Sequence, residues 1–190
     1  MQTPTHFLMT AALRYPLQKQ EIPVRKIALL VGSVLPDLPF ALLSLVYGLF
    51  YRVVGKPDSA ATIMDHLHSL YFTDPVWVAA HNTPHSLVVN GVLIGLGYWL
   101  WRRGRSAGLT LFWLAVAMQL HTIIDIFTHY SDGPLFLFPL NWTYRFHSPI
   151  SYWESGWWFI VLEYTLDAIL LLFLIWKWRH NTQFRSFTAT

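Results

Sequence analysis

A chain of 190 residues that is 54% hydrophobic, 17% aromatic and only 12% charged is far from a soluble domain, in which about 25% of residues are charged. Its formal charge of +3 carries no basic stripe interleaved with stacking aromatics, which argues against nucleic-acid binding. The absence of cysteine excludes disulfides and thiolate metal sites. With a mean hydropathy of +0.39, the composition predicts an integral membrane protein. One membrane-embedded domain is expected over 1–180, with a flexible tail at 181–190. The opening MQTPTHFLMTAAL has no basic segment ahead of its apolar run, so it does not read as a cleaved signal peptide.

In chain order, short apolar helices are expected at 5–15 and 24–36, neither long enough to cross a bilayer comfortably. A helix over 38–54 follows, entered through the bend L-P-D-L-P, where Pro36 disfavours helix before it and Pro39 suits a first turn. There Asp37 is expected to cap the helix, without excluding a ligand role. Residues 58–80 are mixed in polarity and interrupted by Pro75, as in an interfacial connection. A helix over 85–101 is expected to begin with Thr83 as cap and Pro84 at its first position, placing His85 in the first turn. The clearest spans are 107–127 and 157–178, each about 30 Å long at 1.5 Å per residue. The fold class is therefore an all-α polytopic membrane bundle with short or re-entrant N-terminal helices.

Short connections make consecutive helices antiparallel. On that alternation twelve of the thirteen Lys and Arg residues fall at one pole, which the positive-inside rule makes cytoplasmic together with the C-terminus. Arg145 alone lies opposite. Trp99, Trp101, Trp176 and Trp178 mark the basic interface, and Trp153, Trp157 and Trp158 the other. The same alternation sends His6, Asp37, His85, His121 and Asp125 to the non-cytoplasmic pole. An ionised Asp at mid-bilayer costs roughly 2.5–3.5 kcal/mol, so such residues are retained for a function or a partner. His121 and Asp125, four apart, share a helix face and suit one divalent ion; the same spacing also suits a structural His–Asp pair. Glu163, about 9 Å into the last helix, is at a depth to complete a metal shell, with Asp167 a turn deeper beside a polar partner. His81 is expected behind the ligands or at the substrate. His129, Asp132 and His147 are expected to be solvated in the 128–156 loop. Arg145 suits a bidentate anion contact or an ion pair with Glu154 or Asp132.

The segments T-H-F-L-M-T-A-A, G-S-V-L-P-D-L, H-N-T-P-H-S-L, Q-L-H-T-I-I-D-I-F-T, G-P-L-F-L-F-P and W-T-Y-R-F, running from His6 to about Phe146, resemble the YdjM-like membrane-bound metal-dependent hydrolases. That family is distantly akin in pattern to zinc-dependent phospholipase C. The resemblance implies His6, Asp37, His85, His121 and Asp125 as metal-site residues and Arg145 as a substrate contact. Two departures accompany it: Pro39 stands where a second acid is common, and H-N-T-P-H-S is shorter than the usual histidine block.

These readings converge on hydrolysis of a phosphoester, possible substrates being a phospholipid or lipid-linked phosphoester. The metal set is His6, Asp37, His85, His121, Asp125 and Glu163; Asp37 or Asp125 would orient the water, and Arg145 would balance charge. Zn²⁺ fits imidazole and carboxylate ligands best, with Mn²⁺ or Fe²⁺ also suited. The alternatives are a small transporter or proton relay, and a membrane scaffold with a vestigial metal site.

Overall fold

The computed structural model describes residues 1–20, 22–54, 60–152 and 154–180. The expectations placed on Lys56, Trp153, Arg185 and the 181–190 tail lie outside them. The described chain is all-α: α1 (Thr3–Lys19), α2 (Lys26–Gly32), α3 (Leu38–Val54), α4 (Ala60–Thr73), α5 (Pro75–Asn82), α6 (Leu87–Arg102), α7 (Ser106–Thr128) and α8 (Trp157–His180). Two of these, α7 and α8, are long and apolar enough to cross a membrane, while α3 and α6 are shorter apolar helices.

The centre of the fold is α7, packed along α6 on one side and α2 on another. Small residues make both approaches close. A Cβ at Gly97 would press on the Phe112 backbone, and one at Gly108 on the backbone of Leu100 and Trp101, so α6 and α7 meet main chain to main chain. The tight turn between them uses Gly104 at φ 76°, a left-handed conformation open to glycine without steric cost. On the other face Ala28 and Leu29 of α2 pack with Leu109, Trp113 and Ala117 of α7, and Trp113 Nε1 donates to the Pro23 carbonyl at 2.8 Å.

Helix α8 differs in kind. It is apolar all round, packs on α1, and buries only Glu163 among its residues. Such a helix is stable where hydrocarbon replaces water. Its ends carry exposed Trp157 and Trp158 at one terminus and Trp176 and Trp178 at the other, as an aromatic belt requires.

Three local expectations are corrected. The helix expected over 24–36 ends at Gly32, because residues 33–37 form a run of turns leading into Pro36 and α3. The 58–80 connection is two helices, divided at Asp74, whose carboxylate caps α5 by accepting from Val76 N and Trp77 N. Pro75 sits at the favoured first position of α5. Thr83 does not cap α6; the cap is Ser86, so His85 lies in the turn before the helix and not in its first turn.

Ser86 also ties the 129–156 loop to the bundle. Its Oγ accepts from Val88 N and Val89 N, each at 3.1 Å, and donates to the Phe138 carbonyl. Leu87 N donates to Phe136 O at 2.9 Å and Leu135 N to Asn82 Oδ1 at 2.6 Å, which folds the loop back over the α5–α6 turn. Replacing Ser86 by alanine is expected to cost about 1–2 kcal/mol, read as a lowered midpoint of thermal unfolding in detergent.

Candidate metal centre

Each residue of the centre is delivered by the end of a helix or the turn beside it. Asp37 leaves the turns after α2, His85 leaves the turn before α6, and His121 and Asp125 face inward from the last two turns of α7. One ligand atom from each of these four lies within 4.8 Å of the others. His121 Nε2 is 3.0 Å from Asp125 Oδ2 and 3.4 Å from Asp37 Oδ1; His85 Nε2 is 3.5 Å from each of those oxygens. The two imidazole Nε2 atoms are 3.2 Å apart. His85, His121 and Asp125 are buried, with side-chain exposures of 1%, 1% and 6%, whereas Asp37 is 28% exposed and forms the accessible edge.

The hydrogen bonds behind the rings fix their chemistry. His85 Nδ1 is 2.8 Å from the His81 carbonyl, and His121 Nδ1 is 2.8 Å from the Ser33 carbonyl. A carbonyl can only accept, so both Nδ1 atoms carry a proton, and each ring in its neutral form turns an Nε2 lone pair inward. Two lone pairs and two carboxylate oxygens then face one another with no donor among them. That arrangement calls for a cation or a proton between the four, and backbone acceptors on the outer nitrogen are the usual support of metal-ligating histidine. The donor set fits a divalent ion.

Around this core lies a second ring of contacts. His6 is stacked on His121 with centroids 3.7 Å apart, and its Nε2 is 2.9 Å from Asp125 Oδ1, the oxygen turned away from the four-atom cluster. His6 therefore holds Asp125 from outside the four. The Met1 α-amino group lies 2.9 Å from the same oxygen. Thr3 Oγ1 donates to Asp37 Oδ2 at 2.5 Å. The Asp37 carboxylate is thus directed at the imidazoles and Thr3, not at the first turn of α3 as a cap. Burial alone would raise its pKa, but hydrogen bonds donated by the facing imidazoles, His121 foremost, hold it well below the usual carboxylate range when no ion is bound. It stays ionised throughout the pH range in which imidazole can ligate.

The other expected residues are placed as follows. Glu163 is buried, and its Oε1 accepts from Gln2 N at 2.6 Å and Thr5 Oγ1 at 3.0 Å, joining α8 to the start of α1 outside the four-residue cluster. Asp167 Oδ1 is buried without a hydrogen-bond partner among the described residues. His81 stacks on His85 with centroids 4.1 Å apart, and its Nε2 is 3.1 Å from the Tyr71 hydroxyl. Tyr71 donates onward to Asp132 O at 2.7 Å, so the hydroxyl accepts from His81. Arg145 pairs with neither Glu154 nor Asp132: its guanidinium donates to the Gly133 carbonyl and the Tyr71 hydroxyl, and lies 5.2 Å and 5.1 Å from the Tyr71 and Phe72 ring centres. It stands behind Tyr71 and His81, two side chains from the cluster.

His129 and Asp132, expected to be solvated, are half-buried beside the centre, whereas His147 is exposed. His129 Nδ1 is 2.9 Å from Asp132 Oδ1 and its Nε2 is 3.6 Å from Asp125 Oδ1. Burial would lower the imidazole pKa, but these two carboxylates outweigh it and raise it. The signal was available in the sequence: His121, Asp125 and His129 follow one another at a spacing of four.

No curated protein and no solved structure matches the chain. The family model of the YdjM inner membrane protein matches residues 1–187, nearly the full length, and covers every residue of the centre. With its apolar spans and the order of its histidine and aspartate segments, the chain belongs to the YdjM inner membrane protein family.

Proposed function

We propose that this protein is a membrane-bound metal-dependent hydrolase acting on a phosphoester carried by a lipid or lipid-linked molecule. One observation carries the reading: two inward imidazole Nε2 atoms and two carboxylate oxygens, one of them at an accessible edge, meet at the end of a membrane bundle. His85, His121, Asp37 and Asp125 would hold the ion, with Zn²⁺ the best match to this ligand set. When bound, such an ion polarises a phosphoryl oxygen and lowers the pKa of a water towards about 7.

The residues around it divide the remaining work. Asp37, ionised and partly exposed, orients the attacking water and receives its hydrogen bond at the mouth of the site. Asp125, buried and braced by His6, stays fixed while substrate enters and leaves. Arg145, held by Gly133 and Tyr71, stands behind His81 and would act on a phosphoryl group only through its field or after moving from these partners. A proton relay would distribute its groups through the bilayer depth, whereas here they gather at one end with Asp167 apart.

The decisive experiment is metal analysis of the purified protein together with a panel of phosphoesters, with and without chelator. Stoichiometric divalent metal and chelator-sensitive hydrolysis are expected; metal without hydrolysis of any panel member would leave a structural metal protein. Because protons compete with the ion for the two inward Nε2 atoms, metal occupancy should fall as pH is lowered. Equilibrium dialysis between pH 5 and 8 measures this.

The basic pole implies that the centre faces away from the cytoplasm. A reporter fused after Arg185 should then be cytoplasmic, and a signal from the opposite side would invert the placement.

A further inference from the structure

Two hollows of about 310 and 270 Å³ adjoin on the surface between α1, α2 and α8 and share Phe7 and Leu30 as walls. The second is lined solely by apolar side chains, among them Leu35 and Leu38; the first continues past Leu30 to Leu174 and Trp178 of α8. Together they form an apolar groove from the metal-centre end towards the basic end, about 10 Å along α1 from Phe7 to Arg14.

Position and lining identify the occupant. The upper end of the groove is built from the neighbours of site residues: Phe7 follows His6, and Leu35 and Leu38 bracket Asp37, the accessible member of the cluster. The wall formed by α8 belongs to a helix with only 6% of its spanning window buried, so the groove opens towards hydrocarbon. Lined largely by apolar side chains and open along their length, the hollows suit one flexible alkyl chain lying against the bundle.

We propose that the groove seats one acyl chain of a membrane phospholipid, with its phosphate at the Asp37 edge of the cluster. For its head-group end this rests on the metal-centre reading above; the chain-binding end does not depend on hydrolysis.

The test uses the full-length protein in nanodiscs containing a phospholipid with a photoreactive diazirine midway along one acyl chain, with labelled residues mapped by mass spectrometry. Labelling should concentrate on Phe7, Leu30, Leu35 and Leu38 at least fivefold over exposed positions of α3. Leu30→Trp and Val31→Trp, checked for folding by helical circular dichroism and gel filtration, should each remove that enrichment, while Leu172→Trp on the exposed face of α8 should leave it intact. Even labelling around the bundle, or enrichment that survives both groove variants, overturns the proposal. Because the chain contains no cysteine, Leu30→Cys gives a unique thiol. Efficient disulfide pairing between two copies at that position would assign the face to self-association and equally overturn it. Enriched labelling without hydrolysis of any phosphoester sustains the groove while removing the hydrolase; hydrolysis with no enrichment does the reverse.

Discussion

His121→Ala should abolish stoichiometric divalent-metal binding and lower any chelator-sensitive hydrolysis by at least about a hundredfold. His121 Nε2 makes the shortest approaches in the cluster, to Asp125 at 3.0 Å and His85 at 3.2 Å, and its ring supports His6 by stacking. Removing it leaves one imidazole and two carboxylates, with the buried Asp125 facing a void. The cost then falls on both affinity and position, and a rate loss of at least about two decades follows from misplacing the reacting groups by an ångström. Metal analysis by mass spectrometry distinguishes this from unfolding, provided helix content and elution volume stay at wild-type values. His129→Ala is the informative companion: it lies beyond the four candidate ligands, so most of the metal should remain.

Gly32→Leu should have the largest effect on folding. A Cβ at this position would meet the Leu114 carbonyl and the Ala117 side chain, so α2 cannot remain seated on α7. Overpacking of this kind costs roughly 1–3 kcal/mol, more when the obstacle is backbone, and here it is backbone. The next residue, Ser33, supplies the carbonyl that fixes the His121 ring. The variant is therefore expected to lose metal affinity as well as thermal stability, although residue 32 bears no ligand. A shifted unfolding midpoint with unchanged metal affinity would show that α2 and the ligand ring move independently.

The long elements were legible because hydrocarbon imposes a simple rule: α3, α7 and α8 begin and end within two residues of their apolar runs. The convergence of Asp37, His85, His121 and Asp125 was also legible, since alternation of short-linked helices sends all four to one end. Where the reading failed, the deciding interaction was local or non-periodic. Helix α2 stops early because Pro36 and the turns at 33–37 end it, and Ser86 displaces Thr83 as cap because its hydroxyl also meets the Phe138 carbonyl. The place of His129 was missed although its spacing from Asp125 repeats that of Asp125 from His121. The grouping of 129–156 into loop outweighed that periodicity. The loop's return over the α5–α6 turn, through Asn82 and Ser86, has no hydropathy signature at all.

The orientation of the two ring ligands is set by atoms that every amino acid possesses. The oxygens of positions 81 and 33 come from the main chain, so the tautomer of His85 and of His121 does not depend on which side chain stands at either position. The protonation pattern of the two rings is thus written into the path of the polypeptide at the ends of α2 and α5, rather than into any neighbouring functional group.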